Sequence, residues 1–198
     1  MAWSRRRLLQ AGGAFAGIAA GGWTMGAARG QAVRGEAARG EASPGAAAPN
    51  NRHIALLNLH TDERLKIEYS RDGAYLPAAL AAIEEFLKDF RTGERHTIEP
   101  ALMDYLVEVA HTAGAEPSFS VISGYRSPAT NAHLREQSTG VSQHSLHMEG
   151  RAIDVRMTGI DCASLASRAE DLKRGGVGYY RSSDFVHLDT GAFRTWKG

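Results

Sequence analysis

Two histidines and one aspartate in the second half of the sequence are candidate ligands of a metal ion. His147 and Asp154 are seven residues apart, with a predicted turn at Gly150 between them, and Asp154 lies in a short apolar segment. His187 lies much later, in the middle of the apolar segment 185–189. Imidazole and carboxylate groups bind zinc well, and three protein ligands leave a fourth position for water, as in catalytic zinc sites. The spacing alone also allows a strand-end aspartate that caps a turn and a core histidine bonded to backbone.

The charged residues are unevenly distributed along the chain. Residues 1–50 carry a net charge of +4 and residues 51–198 carry −3, although the whole chain is +1. A nearly neutral domain gives no electrostatic basis for binding nucleic acid, so no such partner is predicted. The single cysteine, Cys162, excludes an intrachain disulfide and a cysteine-based zinc site in this sequence.

The N-terminal part has the composition of an export signal followed by a linker. Three arginines at positions 5–7 precede an uncharged apolar segment at 11–20. That order is typical of a secretory signal peptide and resembles a twin-arginine signal. The apolar segment is shorter than the ~20 residues that a membrane span needs. We therefore expect a signal peptide over residues 1–32, a flexible linker over 33–50 and a periplasmic domain over 51–198, without stable membrane insertion after cleavage.

The apolar periodicity of the predicted domain indicates both strands and helices. It predicts an antiparallel hairpin and three later strands, at 54–59, 65–69, 119–123, 152–156 and 185–189. A 3.6-residue period predicts helices at 77–90, from Pro100 onward, at 130–136 and at 162–173. Helices and strands in this mixed order predict an α+β fold with helices packed on a small antiparallel sheet.

The segment that contains His147 and Asp154 carries a recognisable motif. Residues 145–154 match the pattern S-x-H-x-x-G-x-A-x-D at all five fixed positions. This motif resembles that of the zinc D-Ala-D-Ala carboxypeptidase-like peptidases, a group shared with lysostaphin-type enzymes and the hedgehog signalling domain. Further stretches resemble the murein endopeptidase K family. These stretches lie at 122–128, at 172–180 and at 185–191, with Arg194 and Trp196. Together with the motif, they extend the resemblance over residues 52–196.

The resemblance implies a periplasmic zinc enzyme that cuts peptide cross-links of peptidoglycan, at the L,D bond between two meso-diaminopimelate residues. It places one zinc ion per chain on His147, Asp154 and His187. Arg126 matches the arginine that faces the substrate in this superfamily, where a guanidinium beside the metal can stabilise the oxyanion formed on the amide. The implied partner is the stem peptide of peptidoglycan, bound by a monomer.

The general base is the point at which this sequence departs from the related carboxypeptidases. Those enzymes place a glutamate three residues before the last histidine, and here that position holds the shorter Asp184. Asp184 is therefore the predicted proton acceptor, and His144 is its competitor because it lies three residues before His147. Two other functions stay open: a D,D-carboxypeptidase of the same superfamily and a non-catalytic, zinc-containing module that binds peptidoglycan.

Overall fold

The computed structural model describes residues 51–138 and 140–198, so the predicted signal peptide and linker lie outside the described residues. The described chain forms one eight-stranded sheet and four helices. The strands are β1 (Arg52–Asn58), β2 (Arg64–Arg71), β3 (Ala74–Tyr75), β4 (Ser118–Ser123), β5 (Ala152–Met157), β6 (Gly176–Tyr180), β7 (Phe185–Asp189) and β8 (Arg194–Lys197). The helices are α1 (Pro77–Phe86), α2 (Pro100–Thr112), α3 (Pro128–Gln137) and α4 (Cys162–Leu172), and a 3₁₀ turn spans Leu146–Glu149. Among these described helices, none has the length and apolar character to cross a membrane.

The strands are ordered β3-β2-β1-β4-β5-β7-β6-β8 across the sheet. Two neighbouring pairs, β1 with β4 and β6 with β8, are parallel, and the other pairs are antiparallel. The predicted α+β fold is confirmed, with a sheet that is larger than predicted and mixed in direction. β1 and β4 can pair in parallel because the connection between them, which contains β2, β3, α1 and α2, is long enough to return the chain to the same end of the sheet.

Local sequence explains where the helices begin and end. Proline at the first turn starts α1, α2 and α3, where its missing N–H leaves no bond unmade. The Asp161 carboxylate caps α4 by accepting a hydrogen bond from the Ser164 N–H at 2.9 Å. Helix α1 ends at Phe86, before the predicted position 90. The chain turns there and the Asp89 carboxylate, now buried, accepts a hydrogen bond from the Ser127 N–H at 2.9 Å.

The core lies between one face of the sheet and the helices. Ile153 and Val155 of β5 are fully buried in it, together with residues of α2 and α4 such as Leu106 and Leu165. Because successive side chains of a strand alternate between faces, Asp154 lies on the opposite face from Ile153 and Val155. The face of the sheet away from the core is therefore where the candidate metal ligands of the strands are found.

Candidate active site

The pairing of strands places two of the predicted ligands side by side. Asp154 of β5 is paired with His187 of β7. The same row continues through Ser123 on one side and through Gly178 and Trp196 on the other, crossing β4, β5, β7, β6 and β8 in order. Cross-strand neighbours in one row share a face of the sheet, so strand pairing alone brings the Asp154 carboxylate next to the His187 imidazole.

His147 reaches this row from the 3₁₀ turn. Gly150 ends the turn with φ +66°, and a Cβ at this position would overlap the carbonyl oxygen of Thr97. The predicted turn at Gly150 is thus present, with a backbone conformation that glycine adopts more readily than other residues. The carbonyl of His147 accepts a hydrogen bond from the Arg126 N–H at 3.1 Å, so the turn is tied to the segment that follows β4.

The three predicted ligands converge on one point. His147 Nε2 lies 3.3 Å from Asp154 Oδ1 and 3.2 Å from His187 Nδ1, and His187 Nδ1 lies 2.9 Å from Asp154 Oδ1. The residues are 2%, 7% and 9% exposed, respectively. Two imidazole nitrogens and one carboxylate oxygen at these separations can occupy three positions around a tetrahedral zinc ion. Among the described residues, this is the one group of three histidine, cysteine or acidic side chains close enough to share an ion.

Hydrogen bonds on the far side of each imidazole fix which nitrogen is free. His147 Nδ1 donates to the carbonyl of Gly124 at 2.8 Å, and His187 Nε2 donates to Asp189 Oδ2 at 2.9 Å. Each acceptor requires a proton on the nitrogen that it faces. The lone pairs of His147 Nε2 and His187 Nδ1 are therefore directed to the common point, as metal coordination requires. The contact also shows that the Asp189 carboxylate orients the His187 imidazole.

The pKa values of the cluster reflect its burial and its internal ion pairs. Burial raises the pKa of Asp154, but the two neighbouring imidazoles outweigh this and hold it well below its usual range. Burial lowers the pKa of His147, and Asp154 offsets this only in part. Burial opposes protonation of His187 too, yet its bonds to Asp154 and Asp189 raise its pKa to about 9. A cation at this point would take the place of that proton, as is usual for metal ligands.

Arg126 is the fourth predicted site residue that the structure brings to the cluster. Its Nη2 lies 3.5 Å from Asp154 Oδ2 and 3.5 Å from Ser123 Oγ, and its Nη1 lies 3.5 Å from Asn131 Oδ1. The buried Nε has no hydrogen-bond partner among the described residues. Burial lowers the pKa of this guanidinium. A buried cation with long, incomplete hydrogen bonds has donors available for an anionic group in the cleft.

These residues line a cleft of about 430 Å³. One wall is aromatic: the rings of Tyr180 and Phe185 stack at 4.5 Å, and Trp196 Nε1 donates to the Tyr180 hydroxyl at 3.0 Å. The Trp196 ring also lies 5.1 Å from that of His187. Sequence reasoning did not assign this wall to the site. The signal was present, because Tyr180 and Phe185 flank the turn before His187.

The two candidate proton acceptors occupy different places. Asp184 lies in the turn between β6 and β7 with φ +53°, and its side chain is 70% exposed. Its carboxylate forms an ion pair with Arg156 at 3.2 Å, and Asp184 is not among the residues that line the cleft. His144 does line the cleft and is exposed to solvent. The structure therefore brings together four of the five predicted site residues, and Asp184 lies apart from them.

Comparison with known proteins identifies the family of the chain. The family described as peptidoglycan L,D-endopeptidase MepK matches residues 46–196. The probable peptidoglycan L,D-endopeptidase MepK of Haemophilus influenzae is 41% identical over 148 residues, 74% of this chain and 80% of that protein. The peptidoglycan L,D-endopeptidase MepK of Escherichia coli K12 is 39% identical over 145 residues, 73% of this chain and 80% of its own. No solved structure matches the chain. On the extent of these matches, the chain belongs to the family of peptidoglycan L,D-endopeptidase MepK.

Proposed function

We propose that this protein is a zinc-dependent endopeptidase that hydrolyses peptide cross-links of peptidoglycan. The observation that supports it most is the convergence of His147 Nε2, Asp154 Oδ1 and His187 Nδ1 within 3.3 Å, with both imidazoles in the tautomer that frees these atoms. The names of the relatives supply the substrate class and the L,D bond. By extension, we propose that the bond joins two meso-diaminopimelate residues.

His147, Asp154 and His187 would hold the zinc ion, and the cleft gives a peptide access to it. A zinc ion there would polarise the scissile carbonyl and lower the pKa of a bound water toward ~7, which supplies a nucleophile at neutral pH. Gly124 and Asp189 keep the two imidazoles in the ligating tautomers. Arg126 lines the cleft beside Asp154, and its Nη groups, held only by contacts of 3.5 Å, would donate to the oxygen on which negative charge develops.

Proton transfer needs a group that faces the cleft. His144 meets this condition, whereas the Asp184 carboxylate is held by Arg156. We therefore assign proton transfer to the leaving amine to His144, the second of the two groups that the sequence suggested. Asp184 would instead stabilise the turn before β7. Arg156 binds its carboxylate and also donates hydrogen bonds to the carbonyl oxygens of Ser183 and Asp184.

Export by the twin-arginine signal over residues 1–32, cleavage to a periplasmic protein and action as a monomer complete the proposal. The export route and the location are supported by the order of charged and apolar residues in the N-terminal segment and by the periplasmic location of peptidoglycan.

The proposal is tested with the purified, zinc-loaded protein and cross-linked muropeptide dimers, with products identified by mass spectrometry. Conversion of dimers to monomers is expected, and fragmentation of the products names the bond. His187→Ala should abolish conversion, whereas His53→Ala is the matched control because His53 is an exposed histidine outside the cleft. Loss of a terminal D-alanine from intact dimers would instead establish a carboxypeptidase. Binding without any zinc-dependent product would establish a non-catalytic module.

A further inference from the structure

A second arginine lines the cleft on the side opposite Arg126. Arg126 contacts Ser123 of β4 and Asp154 of β5. Arg194 begins β8, two residues before Trp196, the residue at the other end of the row that crosses the site. His187 and Asp154 lie between them in the order of the strands. A peptide placed over the candidate metal ligands would therefore have one guanidinium on each side.

The hydrogen bonds of Arg194 occupy only part of its donors. Nη1 donates to Asp189 Oδ1 and to the Ala192 carbonyl, both at 3.1 Å, and Nη2 donates to Asp189 Oδ2 at 2.7 Å. No described residue accepts a hydrogen bond from Nε. A guanidinium has five N–H groups, so Nε–H and the second N–H of Nη2 stay available. These two N–H groups are parallel and form a fork that matches a carboxylate.

The surroundings of Arg194 hold this fork in a fixed place. Asp189 is fully buried, so the end of the guanidinium that it binds cannot move freely. The Arg194 Cζ lies 5.1 Å from the centre of the Trp196 ring, and the side chain is 47% exposed. Among the described residues that line the cleft, Asp154 is the one acidic side chain, and it is already engaged by both histidines. The Asp189 carboxylate, which accepts hydrogen bonds from Arg194, is fully buried and does not line the cleft.

We propose that Arg194 binds a free carboxylate of the peptide substrate through its Nε–Nη2 fork, and so selects peptides that carry such a group at a fixed distance from the scissile bond. The inference rests on the proposed function for the kind of peptide, a stem peptide whose diaminopimelate residue keeps a free carboxylate. Lysine would keep the charge but lose the planar fork.

The test measures binding of two peptides that the protein does not need to cleave. They are synthetic stem tetrapeptides whose diaminopimelate side-chain carboxylate is either free or amidated, titrated by calorimetry into the zinc-loaded protein. The unmodified protein should bind the free carboxylate about 10-fold to 100-fold more tightly than the amide, the range for a charge-assisted hydrogen-bond pair. In Arg194→Gln the two peptides should bind with equal, weaker affinity. Arg194→Lys should retain part of the difference.

Arg181→Gln is the matched control, because it removes an exposed arginine outside the cleft and should keep the full preference. Zinc content and melting temperature are measured for each variant. If Arg194 only holds Asp189 in place, Arg194→Gln weakens binding of both peptides by the same factor, and the inference is overturned. Equal binding of both peptides by the unmodified protein overturns it as well. Because neither readout involves turnover, a protein that prefers the carboxylate yet cleaves no dimer would support this inference and contradict the proposed function.

Discussion

Replacing Asp189 with asparagine should weaken zinc binding by about 10-fold to 100-fold, the usual effect of losing a partner that orients a metal ligand. Asp189 is fully buried and accepts five hydrogen bonds. Its Oδ1 accepts from Gly176, Gly191 and Arg194, and its Oδ2 accepts from His187 and Arg194. Asparagine has the same shape, but one of its two ends is a donor.

The magnitude follows from where the new amide group is placed. An NH₂ at Oδ2 would face two donors, and each unsatisfied buried donor costs about 1–3 kcal/mol. His187 can avoid its share of this cost by moving its proton from Nε2 to Nδ1, and that tautomer cannot ligate through Nδ1. A tenfold to hundredfold loss of affinity corresponds to about 1.4–2.7 kcal/mol, which lies within the cost of one such donor.

The assay is competition for zinc between the protein and a chelator of known affinity, at a temperature where circular dichroism shows the variant to be folded. The matched control is Asp161→Asn, the same chemical change at the exposed cap of α4, where asparagine caps almost as well as aspartate. This control should bind zinc like the unmodified protein. If Asp189→Asn also kept full zinc affinity while folded, the role assigned to the Asp189–His187 hydrogen bond would be refuted.

Three further outcomes are expected. Gly150→Ala should destabilise the protein to urea by more than the ~1–2 kcal/mol of a left-handed residue, since its Cβ would also overlap the Thr97 carbonyl; unchanged stability would contradict the fold of this turn. Burial raises the pKa of the Cys162 thiol to about 11, so at pH 8 its alkylation should be about 100-fold slower than in unfolded protein and should accelerate as pH rises toward that value. Dimer cleavage should fall by about 10²-fold or more in His144→Ala but by much less in Asp184→Asn; the reverse ranking would return the base to Asp184.

The candidate ligands could be predicted from sequence because their residue types are restrictive. Few side chains bind zinc, and the motif around His147 and Asp154 fixes their identities as well as the glycine that turns the chain between them. The strands that carry Asp154 and His187 are apolar enough to be predicted from sequence. What the sequence does not contain is their register, which depends on pairing between segments 33 residues apart. The sequence therefore predicts which residues form the site, but not how those residues are arranged in space.

Asp184 shows where an offset along the chain misleads. A position three residues before a histidine was predicted to point toward the metal, but the chain turns at Asp184 with a positive φ. Arg156, two residues beyond Asp154 on β5, then holds both the carboxylate and the carbonyl of Asp184. Spacing alone cannot reveal this, because the competing cation comes from a different strand.

Strand β6 was not predicted, for a reason that also explains the cleft. β6 contains Gly176 and Gly178, and glycine disfavours strands in local sequence preference. Yet a Cβ at Gly178 would overlap the Trp196 ring, which lies across this position and reaches toward His187. The missing side chain in β6 is thus what admits the aromatic wall beside the candidate metal ligand. Gly178 therefore makes β6 harder to predict from local sequence preference, yet its lack of a side chain is what the aromatic wall of the site requires.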